Sequence, residues 1–188
     1  MRARQKLSIV VLALALSAHS DAKSQTANPV VYANPEYGFQ ATFPEEPMMR
    51  EISYVREDGA QALAHQFYVE HGINEYVVTV VDLPDGPEID FNAFDHAVAQ
   101  TRATGEVRAD AEVAYDPGVP GWQLSVFQPD GRQRRTSIYF YGHRLFFSEA
   151  ITEPGDFEGI RMEQSIVLLE ADGSEVDTGV GNAAGERQ

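Results

Sequence analysis

Four arginines and a histidine stand close together in one strand-rich stretch: Arg132, Arg134, Arg135, His143 and Arg144. The arginines carry about a third of the basic charge that remains after residue 22. A guanidinium grips a carboxylate or phosphate through two parallel N–H donors, so this group could hold an anionic ligand or an acidic partner. The competing reading is that the arginines neutralise neighbouring acids at a sheet edge. These five residues are the candidate binding residues.

The remaining chemistry-bearing residues give less. His65 and His71 are six residues apart on one strand, hence on one face but about 20 Å apart at ~3.3 Å per residue, too far to share a metal. A bend could bring Glu70 and His71 toward His143 as a nitrogen and oxygen site for zinc, yet no His-x-x-x-His spacing supports it. Ser125 and Ser148 lie in strands without a Gly-x-Ser-x-Gly elbow. The chain has 29 acids, so the proximity of Glu45 to Glu46, Asp110 to Glu112 or Glu149 to Glu153 carries little information. No catalytic residue, metal ligand or cofactor is assigned.

Apolar periodicity and turn residues define the elements that must position these groups. Phe39, Ala41 and Phe43 alternate with Gln40 and Thr42 in a half-buried strand stopped by Pro44. Residues 49–55 and 60–71 flank Glu57-Asp58-Gly59 and form a hairpin. The run at 76–82 is apolar on both faces, which predicts a central strand covered on two sides. Asp90 caps a helix through Thr104 that turns Phe91, Phe94 and Val98 inward, with Gly105 just past its end. Strands at 106–115, 121–127, 132–141 and 143–152 follow, the last three as a meander. Asp156 caps a shorter helix to about Ser165, weakened by Gly159, and residues 166–169 close the core. Trp122 and Phe140 are expected to be buried. The aromatic meander around Trp122, Phe127, Tyr139, Tyr141, Phe146 and Phe147 has large residues on both faces, so part of one face is expected to be left for a partner or an apolar ligand.

Export is the expected address. Residues 1–22 combine a basic start (Arg2, Arg4, Lys6), an apolar run from Leu7 to Ala18 and the small residues Ser20 and Ala22, the pattern of a signal peptide. The apolar run is shorter than the ~20 residues needed to span a bilayer, so no stable membrane insertion is expected after cleavage. Cleavage after Ala22 would take the formal charge from −15 to −17. That field disfavours nucleic acid and anionic membrane surfaces as partners. The chain has no cysteine, so its stability comes without disulfides.

Three local patterns point to a family. Tyr37-Gly38-Phe39 leading to Phe43-Pro44, the hairpin from Tyr139 to Phe146, and Phe157 followed by Gln164-Ser165-Ile166 together resemble the PsbP-like proteins, over residues 37–169. That resemblance implies an antiparallel sheet with helices on both faces and a binding or accessory role; no functional residue of those relatives maps onto this chain. The expectation is an α+β fold, a central antiparallel sheet of about six to eight strands flanked by two main helices. Its organisation would be a signal peptide (1–22), a linker (23–36), one domain (37–169) and a disordered acidic, glycine-rich tail (170–188). The expected function is a periplasmic or secreted, non-catalytic binding or accessory domain for a protein partner or small ligand. A periplasmic metal-dependent hydrolase and a holdase-like or immunity-type protein are the alternatives.

Overall fold

The computed structural model describes residues 28–84 and 90–178. The expected signal peptide lies outside the described residues, as do residues 23–27 of the linker, the turn at 85–89 and residues 179–188 of the tail. The elements run β1 (Val30–Asn34), β2 (Phe39–Phe43), β3 (Met48–Val55), β4 (Gln61–His71), β5 (Asn74–Asp82), α1 (Phe91–Arg102), β6 (Glu106–Asp116), β7 (Val119–Phe127), β8 (Gln133–Tyr141), β9 (Arg144–Thr152), α2 (Phe157–Glu163) and β10 (Val167–Leu168). Two antiparallel meanders, β3–β5 and β6–β9, join where β5 pairs with β9, giving a seven-stranded sheet of order β3-β4-β5-β9-β8-β7-β6. A second sheet has three strands in the order β1-β2-β10.

The expected α+β architecture with two main helices is corrected by this arrangement. Strand makes up 55% and helix 13%, so the fold is mostly β. Its helices are short, 12 residues in α1 and 7 in α2, and the second sheet supplies cover that the sequence reading assigned to helix. The physical reason lies at the two ends of the domain. Residues 30–34, expected as linker, pair with β2 from Val30↔Phe43 to Asn34↔Phe39 and lay the Tyr32 ring 5.7 Å from that of Phe67. The stretch beyond Leu168 turns back so that Leu169 bridges Glu175, and Val176 enters the core at 3% exposure.

Period-2 alternation sends the large sheet's side chains to two separate cores. One face packs Val78, Val80, Tyr139 and Phe146 under the small sheet and α2. The other packs Val81, Ile138, Phe140, Leu145 and Phe147 under Phe94, Ala97 and Val98 of α1. As the sequence indicated, β5 is covered on both sides. Asp90 caps α1 by accepting from the backbone N–H groups of Asn92 and Ala93, both at 3.1 Å. Asp156 does the same for α2 through Glu158 and Gly159, and also accepts from Tyr76 Oη at 3.2 Å.

Three glycines are fixed by close approach, the tightest being Gly105, where a Cβ would sit 2.0 Å from the Phe127 carbonyl oxygen. A Cβ at Gly121 would sit 2.6 Å from the Tyr139 ring, and one at Gly159 would sit 3.1 Å from Ala150 Cβ and Thr152 Cγ2. Gly159 therefore gives up helix propensity to let α2 lie close on β9. Phe140 is buried, but Trp122 is only partly so. The indole packs at the rim of the α1 core, donates to Asp110 Oδ1 at 2.6 Å and lies 5.0 Å beneath the Arg102 guanidinium.

Candidate functional site

The candidate site is a crevice between the C-terminal end of α1 and the outer half of the large sheet. Gln66, Thr79 and Phe147 are register neighbours across β4, β5 and β9 and form its floor. Glu149, two residues past Phe147, shares their face, as do Thr136 and Arg134 on β8. Ile52 and Tyr54 of β3 make one wall; Gln100, Thr101 and Thr104 make the roof. The space enclosed is about 310 Å³. Packing of α1 is on β7 and β8, and Gln100 Nε2 reaches across to donate to the Val55 carbonyl at 3.1 Å. The roof is thus held at both sides, and the outer part of the sheet beneath it is left unfilled.

An ion pair lies at the inner end. Arg134 Nη1 donates to Glu149 Oε1 at 3.1 Å, and Thr136 Oγ1 donates to the same oxygen at 3.1 Å. Both bonds land on Oε1, which leaves Oε2 as an acceptor. Two polar atoms of the lining, Arg134 Nε and Tyr54 Oη, are sealed from solvent without a hydrogen-bond partner. A buried donor or acceptor left unpaired costs ~1–3 kcal/mol, so two such atoms on residues of one crevice call for an explanation. Burial, with a smaller contribution from Glu57, pushes the Tyr54 phenol up to about 12. Tyr54 is therefore a neutral hydroxyl that donates or accepts.

Two other hollows among the described residues lack this feature. A larger one of about 370 Å³ runs between β2 and α2, past Phe43, Pro44, Arg161 and Met162, and one of about 520 Å³ lies beside Glu70, Glu75 and Arg132. None of the residues lining either has a buried polar side-chain atom without a partner. Under α2 there is instead a closed polar cluster: Ser137 Oγ donates to Glu163 Oε1, and Glu163 is 4% exposed. Burial raises the Glu163 carboxyl above its ordinary value, against smaller lowering effects of Ser137 and Arg135. Ser148, the register partner of Ser137 across β8 and β9, is fully buried with Oγ unpartnered.

The five candidate binding residues do not form one group. Arg132 is engaged by Glu75 and Asp130, both at 2.7 Å, and by the Ile73 carbonyl at 2.9 Å. Arg134 and Arg135 are consecutive in β8, so they point to opposite faces, one to the crevice and the other toward Glu163. Arg144 pairs with Asp82 at 2.7 Å and donates to the Glu36 carbonyl at 3.0 Å. His143 sits in the β8–β9 turn at φ 60°, and its carbonyl accepts from Leu83 N–H at 3.0 Å. From Arg132 to Arg144 the hairpin spans about 30 Å at ~3.3 Å per residue. Of the five, only Arg134 lines the crevice.

The proposed zinc set is separated in the same way. Glu70 and His71 end β4 beside Glu75 and Asn74, whereas His143 lies next to Leu83 at the other end of β5. Among the described residues no three His, Asp or Glu side chains are placed to hold a metal ion. Of the meander aromatics, Tyr139, Phe146 and Phe147 are buried, Trp122, Phe127 and Tyr141 are partly exposed, and Phe147 also forms part of the crevice floor, which extends outward over β3–β5.

Sequence reasoning missed Tyr54, Gln66, Thr79 and the roof residues, and noted Glu149 only as one acid among many. A signal was present: Thr79 interrupts Val77-Val78 and Val80-Val81, and Glu149 follows Phe147 at a spacing that keeps both on one inward face. No family model, curated protein or solved structure matches the chain, so the resemblance to the PsbP-like proteins rests on its three local patterns.

Proposed function

We propose that this chain is an exported, non-catalytic binding domain that holds a small ligand in the crevice beneath α1. The sequence of residues 1–22 supports export. One observation carries the binding reading: two buried polar atoms without partners, Arg134 Nε and Tyr54 Oη, belong to residues that line the same 310 Å³ cavity. The volume falls at the lower end of the ~300–1,000 Å³ typical of ligand pockets. A thermal-shift screen of small metabolites tests the reading. Hits are expected to raise Tm in the wild type and lose most of that effect in Gln100→Trp, whose larger side chain fills space beneath the roof. Hits that stabilise this variant as strongly as the wild type would refute it.

A protein partner is favoured by a different feature. The outer edge of β3 is unpaired among the described residues, and Met48, Met49 and Val55 on it are exposed. Such an edge accepts an added strand. Cross-linking from a residue in β3 to a co-purifying protein would support this second reading; labelling that returns only the monomer from a cell-envelope extract would count against it.

A further inference from the structure

The residues of the β3 edge narrow its partner, and this inference rests on that edge being a docking site at all. We infer that its occupant is the β3 strand of a second copy of this chain, laid antiparallel so that two seven-stranded sheets join into one. The two edges of the large sheet are built differently. β6 carries Glu106, Asp110, Glu112 and Asp116 against Arg108, and its pairing with β7 slips between Val107 and Ala109 and again between Ala114 and Asp116. Charge and irregularity of this kind keep an edge from pairing. β3 has neither. It pairs with β4 without a break from Met48↔Tyr68 to Val55↔Gln61, its charges are Arg50 and Glu51, and Met48, Met49 and Val55 stand exposed on it. In a chain of net charge −15, copies repel least where each presents a neutral strand.

A second copy fits best in one register. The two-fold axis that relates antiparallel copies of a strand is perpendicular to the sheet, keeps each side chain on its own face, and passes beside a residue that meets its own counterpart. Centred on Ile52, the pairing sets Ile52 against Ile52, Met49 against Val55 of the other copy, Arg50 against Tyr54, and Glu51 against the neutral Ser53. Two exposed apolar residues thus cover each other on both sides of the axis, and an arginine meets an aromatic ring; both are favourable cross-strand pairs. Moving the centre to Glu51 sets two glutamates face to face, and moving it to Ser53 sets Arg50 against Arg56. Ile52 and Tyr54 also line the crevice, so Arg50 of the second copy comes to stand beside its outer wall, and the two crevices lie on the same face of one sheet.

The test is sedimentation velocity of the purified chain from about 1 to about 300 µM, a range suited to an interface at the small end of the scale. The wild type is expected to pass from monomer to dimer within it, and more readily at raised salt, which screens the repulsion between two acidic copies. Ser53→Glu, at an exposed position, sets carboxylates opposite each other at two symmetry-related places and should weaken the dimer by at least about threefold. Ser53→Lys sets the opposite charge there and should tighten it. The chain has no cysteine, so Ile52→Cys carries a single thiol at the two-fold axis, within disulfide reach of its counterpart, and mild oxidation should trap the dimer. Met48→Cys, more exposed but ~26 Å from its counterpart at ~3.3 Å per residue, should stay monomeric. A dimer indifferent to both Ser53 variants, or equal trapping of the two thiol variants, would place the contact elsewhere and overturn this inference. A chain that stays monomeric and yet cross-links from β3 to a different protein of the cell envelope would overturn the second copy as occupant and leave the edge as a docking site. A monomer with no such cross-link would overturn both.

Discussion

Glu163→Gln should make this protein less sensitive to rising pH. Glu163 sits beneath α2 at 4% exposure and accepts from Ser137, which is also buried. Burial raises its carboxyl above the ordinary value of 4.5. A carboxyl whose folded pKa exceeds its unfolded pKa binds more protons when folded, so it stabilises the fold at low pH. That contribution declines as pH rises from about 4.5 to the raised folded value, and is flat above it. Within that window each pH unit removes ~1.4 kcal/mol of folding free energy, the equivalent of one proton. Glutamine preserves the volume and an oxygen acceptor for Ser137 but has no proton to lose. At pH 4 the two proteins should therefore differ by no more than ~1 kcal/mol, and the variant should become progressively the more stable at higher pH. Urea unfolding of both proteins at half-unit steps from pH 4 to 8 measures the difference, in which the other acids cancel. Two parallel curves would refute the reasoning and mean that the Glu163 carboxylate is fully compensated where it lies.

The remaining predictions concern packing and charge. Gly121→Ala places a Cβ 2.6 Å from the Tyr139 ring and should lower stability by ~1–3 kcal/mol in chemical denaturation, whereas an unchanged midpoint would mean the ring moves freely. Trp122→Ala should cost ~1–3 kcal/mol, less than the ~3–5 of a fully buried aromatic, because the indole lies at the core rim. Arg132→Glu should destabilise by about 1–2 kcal/mol, since it replaces the cation between Glu75 and Asp130 with a third carboxylate. Added salt should recover part of that loss, and a variant as stable as wild type at low ionic strength would show that the pairs contribute nothing.

Most strands were legible because their signals are local. Gly59, Gly131 and Gly142 mark hairpins, and Asp90 and Asp156 mark helix starts with the capping bonds that the structure contains. β1 was not legible: Val30–Asn34 is a short run between two prolines, and only its pairing with β2 makes it a strand. Val176 was hidden similarly, as one apolar residue in a stretch whose composition reads as disordered. Missing both shifted the fold expectation from β toward α+β. In the site, the alternation that separates Arg134 from Arg135 can be read from their adjacency, as can the shared face of Phe147 and Glu149. The meeting of that face with Gln100 and Tyr54 cannot, because it depends on where α1 docks and on which strand ends the sheet.

The small sheet also sets an order of events for the chain. β2 is held by β1, its near neighbour in sequence, and on its other side by β10, with Gln40 opposite Val167. Thr42 N–H donates to Ser165 Oγ at 2.8 Å and Leu169 N–H to the Gly38 carbonyl at 2.9 Å, so the last elements fasten the first. A chain emerging from the ribosome cannot complete this clasp until residues 165–169 have been made, and contacts so distant in sequence form slowly. Until then Phe39 and Phe43 lack their final cover. A polypeptide that closes last at its beginning keeps that beginning extended and uncommitted for longer than the rest.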